Sequence, residues 1–184
     1  MCRNRSMVLM AVVGATIAGA PALAQGHGRM GMGAGMKGMA HDSATMTQMR
    51  VIHELVMNHE RISRTVTNLP NGIRTVTTSD DPRIAGLIKD HTLTMFERVG
   101  KGDDPGFPME SPALRAIFLG RDKIHTTSDT TANGVIIVQT SADSAVVAAL
   151  QEHAAEVTDL VRRGMVAMRE AMMKHGRGGG AMPR

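Results

Sequence analysis

Residues 58–102, NHERISRTVTNLPNGIRTVTTSDDPRIAGLIKDHTLTMFERVGKG, return without a gap at 120–164 as GRDKIHTTSDTTANGVIIVQTSADSAVVAALQEHAAEVTDLVRRG. Eleven of the 45 aligned pairs are identical: Ile62/Ile124, Thr65/Thr127, Asn71/Asn133, Gly72/Gly134, Val76/Val138, Thr78/Thr140, Ser79/Ser141, Asp81/Asp143, His91/His153, Val99/Val161 and Gly102/Gly164. Most of these residue types serve turns, caps or core. The histidine pair has no such obvious duty, and a ligand-competent side chain kept in both halves is the chain's best handle on function.

Each copy reads in the same order. ISRTVT and GIRTVTT alternate around Asn71-Gly72, and KIHTTSD and GVIIVQT flank Asn133-Gly134. This pattern predicts two hairpins turning at the Asn-Gly dipeptides, with both glycines at positive φ. Ser79-Asp80-Asp81-Pro82 predicts a helix start, Asp81 capping and Pro82 in first position, and Asp143 is placed to cap the equivalent helix. Upstream, Met49, Ile52, Leu55, Val56 and His59 recur at helical spacing, Leu114 to Leu119 suits a short helix, and the last helix is expected to run on to about Lys174. A helix–hairpin–helix unit of about 50 residues buries too little surface to stand alone. Two such units, joined about a pseudo-twofold axis, predict one α+β domain: a four-stranded antiparallel sheet with helices packed on one face.

The expected boundaries follow from composition. Residues 1–24 carry two arginines, a 14-residue apolar run and Ala22-Leu23-Ala24, the pattern of a cleaved export signal. Residues 25–45 are Gly/Met/His-rich without apolar periodicity and read as a disordered segment. The domain then spans 46–174, with repeat one at 46–102 and repeat two at 112–174, and 175–184 form a disordered tail. Export implies a periplasmic or secreted protein with no stable membrane insertion once the signal is removed. Cys2 leaves with that signal, which excludes disulfides, thiolate ligands and a cysteine nucleophile from the mature chain.

Charge and composition exclude more. Beyond residue 24 there are 19 Lys and Arg against 17 acids, too even a balance for a nucleic-acid footprint. With no Trp or Tyr and only Phe96, Phe107 and Phe118, base stacking is poorly served too. No G-x-S-x-G elbow, phosphate-cradling loop, H-E-x-x-H or dinucleotide fingerprint occurs, so nothing points to an enzyme. Methionine is the outlier, at 17 residues. It fills cores short of aromatics, but a thioether is also a soft ligand suited to Cu(I).

The run NHERISRTVTNLPNGIRTVTTSDDPRIAGLIKDHTLTM (58–95), with its weaker echo ending at His153, resembles a group of uncharacterised exported bacterial proteins. Those proteins share the hairpin, the S-D-D-P helix start and the following histidine. The resemblance implies a defined domain and points at His59 and His91.

Candidate chemistry converges on histidine and methionine. His91 lies on the stripe Ile84, Leu87, Ile88 and Met95, and His153 on the stripe Val146, Ala149, Leu150 and Val157, so both imidazoles are expected to face the interior. His59 ends the first helix on its apolar face. His53–Met57 and His91–Met95 are i,i+4 pairs that place imidazole and thioether on one helix face. The leading expectation is an exported metal-binding protein, with copper as the metal and His59, His91, His153, Met95, His53 and Met57 as the candidate ligand set. Met30, Met32, Met36 and Met39 would gather the ion. The first rival is a haem b protein with His/Met or His/His axial ligands, non-covalent because no C-x-x-C-H exists. The second is a structural or interaction module without a cofactor, whose histidines are core or pH-sensitive groups. Met165, Met168 and Met172 form a stripe on the last helix that suits core packing or a protein partner.

Overall fold

The computed structural model describes residues 43–176. The expected signal, most of the Met-rich segment and nearly all of the tail lie outside the described residues. Helix α1 (Ser43–Met57) leads through a 3-10 turn (His59–Arg61) into strands β1 (Ser63–Leu69) and β2 (Gly72–Thr78), then α2 (Pro82–Lys101). The second copy repeats this with α3 (Pro112–Leu119), a 3-10 turn (Arg121–Lys123), β3 (His125–Thr131), β4 (Gly134–Thr140) and α4 (Ser144–Arg163), followed by α5 (Met165–His175). The fold is α+β, with one four-stranded antiparallel sheet in the order β1-β2-β4-β3.

The register shows the pseudo-twofold directly. Where β2 meets β4, Thr75 pairs with Ile137, its own repeat equivalent, and Gly72↔Thr140 mirrors Thr78↔Gly134. Paired details recur on both sides of this axis. Asp81 accepts from the Arg83 and Ile84 amides, and Asp143 from those of Ala145 and Val146. Arg61 reaches Asp81 at 2.6 Å and Lys123 reaches Asp143 at 2.6 Å. The Ser79 amide donates to the Asn133 carbonyl and the Ser141 amide to that of Asn71, both at 2.9 Å.

The core explains why neither repeat folds alone. Val146, Ala149 and Leu150 of α4 pack on Ile73 of β2, whereas Ile84 and Ile88 of α2 pack on Val135 and Ile137 of β4. Each repeat's long helix therefore covers the other repeat's strand. Ile73, Thr75 and Thr77 face this interior and are buried, while Arg74 between them is exposed. Both helices thus lie on one face, as the alternation requires.

Four local expectations need correction. The hairpin turns centre on Pro70-Asn71 and Ala132-Asn133, between the pairs Leu69↔Gly72 and Thr131↔Gly134. Neither is a primed turn, because proline holds φ negative and no non-glycine residue among those described has positive φ. Gly72 has φ 159°, close to fully extended, and Gly134 is not at positive φ. Their glycine is required by close approach instead: a Cβ on Gly72 would stand 1.9 Å from the Gln139 carbonyl oxygen, and one on Gly134 2.1 Å from that of Thr77. Next, α1 begins at Ser43, so residues 43–45 belong to the fold; Thr45 is buried and receives the Arg98 guanidinium at 3.0 Å. His59 sits in the 3-10 turn after α1 rather than at its end. Finally, the last helix breaks at Gly164, whose φ of 56° and ψ of −131° close α4 before α5 starts.

Candidate functional site

Between α2 and α4, over the inner face of the sheet, lies a cavity of about 520 Å³. Its walls are mainly apolar, among them Ile52, Leu55, Phe96, Ile117, Val157 and Leu160. Polar and charged side chains border it as well, Arg64, Ser111, Glu156, Asp159 and Lys174 among them.

His91 enters from α2 and His153 from α4. Each follows a buried aliphatic residue by one helical step, Ile88 and Leu150, so the stripe that buries the helix also turns its imidazole inward. His91 Nδ1 lies 3.0 Å from Gln48 Oε1, and Gln48 is itself buried on α1. His153 Nδ1 lies 3.4 Å from Glu156 Oε2, which also accepts from the Ser111 hydroxyl at 2.7 Å. An amide oxygen and an ionised carboxylate only accept, so Nδ1 is the protonated nitrogen on both rings. In the neutral imidazole, Nε2 then keeps its lone pair. Outer partners of this kind typically fix the tautomer of ligating histidines.

Electrostatics distinguish the two rings' surroundings. Burial, and secondarily the charge of nearby His153, pushes the His91 pKa down to about 4, so His91 is neutral at pH 7. The ring is partly accessible yet deep among protein atoms, the combination expected of a cavity wall. Burial alone would raise Glu156, but the hydrogen bonds from His153 and Ser111, with the charges of His153 and His175, outweigh it and hold the carboxyl below its usual value.

The other candidates divide. Met95 lines the cavity with His91, one turn further along α2. His59 also borders it, with Nδ1 2.9 Å from the Val161 carbonyl oxygen. Its opposite edge, Cδ2 and Nε2, is pressed against Gly164, where an added Cβ would stand 2.3 and 2.6 Å from those atoms. That packing marks His59 as a wedge at the α4–α5 break. Arg121, its repeat equivalent, lies against Gly102 in the same way. His53 and Met57 are exposed on α1 and do not border the cavity. Among the described residues no group of three or more His, Cys, Asp or Glu side chains is placed to hold a metal ion. The methionine stripe of the last helix is split, Met168 being buried and Met172 exposed.

Four participants were not singled out from sequence. Glu156 follows His153 at i+3, a spacing visible in the chain. Gln48 and Ser111 come from elements whose docking no local pattern reveals. Arg64 shares strand parity with half-buried Val66, the signal that it points inward. No helix among the described residues is long and apolar enough to cross a membrane. Compared with known protein families, with curated proteins and with solved structures, the chain matches none.

Proposed function

We propose that the domain binds haem b non-covalently, with His91 and His153 as the residues that would hold its iron. One observation carries this reading: two repeat-equivalent histidines reach a single apolar cavity, each with Nδ1 engaged by an acceptor and Nε2 left for a ligand. The volume lies in the range of organic cofactor sites and far exceeds what one ion fills. Bound there with both histidines engaged, the iron would supply electron-transfer chemistry, and the protein's levers would be ligand identity, burial and the outer hydrogen bonds. Cys2 is the only cysteine, so the group would be held without thioether links. A periplasmic or secreted location, expected from residues 1–24, forms part of the same proposal.

Copper is the second reading, supported by the thioethers of Met95 and Met109, which border the same cavity. A copper site here would combine His91 and His153 with one of these sulfurs, since no three-carboxylate or three-imidazole cluster stands among the described residues. Titrating the purified protein with hemin separates the two. A stoichiometric shift of the Soret band, lost in His91→Ala, is the expected result. No Soret shift, with Cu(I) captured from a competing chelator, would replace haem by copper.

A further inference from the structure

Arg64 is the cavity's unusual wall residue. It projects from the inner face of β1, and its guanidinium meets only hydroxyls: Nη1 donates to Thr77 Oγ1 at 2.7 Å and Nε to Thr158 Oγ1 at 3.4 Å. No carboxylate lies within ion-pair distance among the described residues, although several acids border the same space. Those acids are already engaged, Asp159 and Glu170 by Arg163 and Glu156 by Ser111 and His153. Among the described residues Nη2 has no acceptor, and it is not sealed from its surroundings.

The fold does not demand this cation. The equivalent position in repeat two is Thr126, which accepts from Gln139, the equivalent of Thr77. At that more exposed position a threonine satisfies the neighbouring strand's side chain without a charge. Burial lowers the Arg64 pKa to about 10, which still leaves the group charged at neutral pH. A desolvated charge without a counter-ion is costly, and an anion arriving with a ligand offsets that cost with charge-assisted hydrogen bonds.

We infer that the cavity takes an amphipathic ligand bearing a carboxylate, and that Arg64 anchors the carboxylate while the apolar walls enclose the body. This rests on the cavity being a ligand site, and within the haem reading the carboxylate is a porphyrin propionate. A fatty acid offers the same head group without the ring or the iron.

Two matched probe pairs separate the cases: hemin against its dimethyl ester, read by the Soret band, and dodecanoate against methyl dodecanoate, read by calorimetry. The full chain should prefer the acid over the ester by roughly tenfold or more in at least one pair. Arg64→Met should lose that preference, and Arg64→Lys should retain part of it, with circular dichroism confirming that each variant is folded. Acid preference in the alkyl pair alone upholds the Arg64 anchor and overturns haem. Hemin bound as well as its ester upholds haem and overturns the anchor. An acid preference that survives in folded Arg64→Met overturns the anchor, and no binding of any probe overturns both.

Discussion

Repeat one and repeat two share a backbone and differ in chemistry. The equivalent pairs that build the frame are kept: Asp81 and Asp143 cap, Gly72 and Gly134 admit a neighbouring strand, and Arg61 and Lys123 hold the capping acids. Of the equivalent pairs whose members both border the cavity, only His91/His153 and Val99/Val161 are kept, and the histidines alone among them are polar. Around them, Arg64 stands opposite Thr126, Met95 opposite Val157, and Glu156 opposite Thr94. One histidine leans on a buried amide and the other on a carboxylate. Duplication thus supplied a symmetric scaffold with two inward imidazoles, and divergence placed Arg64 and Glu156 on the cavity wall with no charged equivalent in the other repeat. A symmetric ion would not need that difference, whereas an elongated or planar ligand with a distinct acidic end would.

The equivalence of the two rings is the first thing to break. His91→Ala and His153→Ala should each lower hemin affinity by more than the roughly 10–100-fold that a lost outer partner costs, with the fold intact. Titration of both variants checks this, and a large loss from one alone would leave a single ligand. The scaffold's equivalence can be sharpened with Gly72→Ala and Gly134→Ala. Each drives a Cβ into a backbone carbonyl across the β2–β4 seam, so both should destabilise by about 3 kcal/mol in denaturant melts, and by similar amounts. Unequal losses would show that the seam is less symmetric than its register.

Acid tests His91 specifically. Its folded pKa of about 4 lies below the ordinary histidine value of 6.5, so the unfolded chain binds the extra proton first as pH falls. Stability conferred by the neutral ring is present above pH 6.5 and declines towards pH 4, by up to about 3 kcal/mol. His91→Gln should flatten that part of the apo-protein's stability profile, and an unchanged slope would mean that the ring is not desolvated. The smallest effect comes from the helices. Gly86 lies inside α2 with open space where a Cβ would go, and repeat two already has Ala148 there. Gly86→Ala should raise stability by about 0.5–1 kcal/mol in the same melts.

Much of the fold was legible because its signals are local. Alternation around Asn71 and Asn133 marked the hairpins, Asp81-Pro82 and Asp143 marked helix starts, and the 62-residue offset carried the symmetry. The turn type departs from the Asn-Gly pattern because Pro70 precedes Asn71, and its ring forbids the positive φ that a primed turn needs. The break at Gly164 was missed because apolar periodicity continues into Met165 and Met168, and only the His59 ring packed against that glycine shows why no side chain fits there.

The sequence by itself determined the elements, the caps and the inward direction of His91 and His153, since these depend on neighbours within a turn or a pleat. Which of the six candidate ligands share a cavity was decided only in three dimensions. His53 and Met57 satisfy the same i,i+4 spacing as His91 and Met95, yet α1 turns them to solvent while α2 turns the second pair inward. Spacing along a helix sets which residues share a face. Packing, through the crossing of each repeat's helix onto the other repeat's strand, decides which face is buried, and it brought Gln48 to His91, Ser111 to the Glu156 partner of His153, and Arg64 to the same cavity.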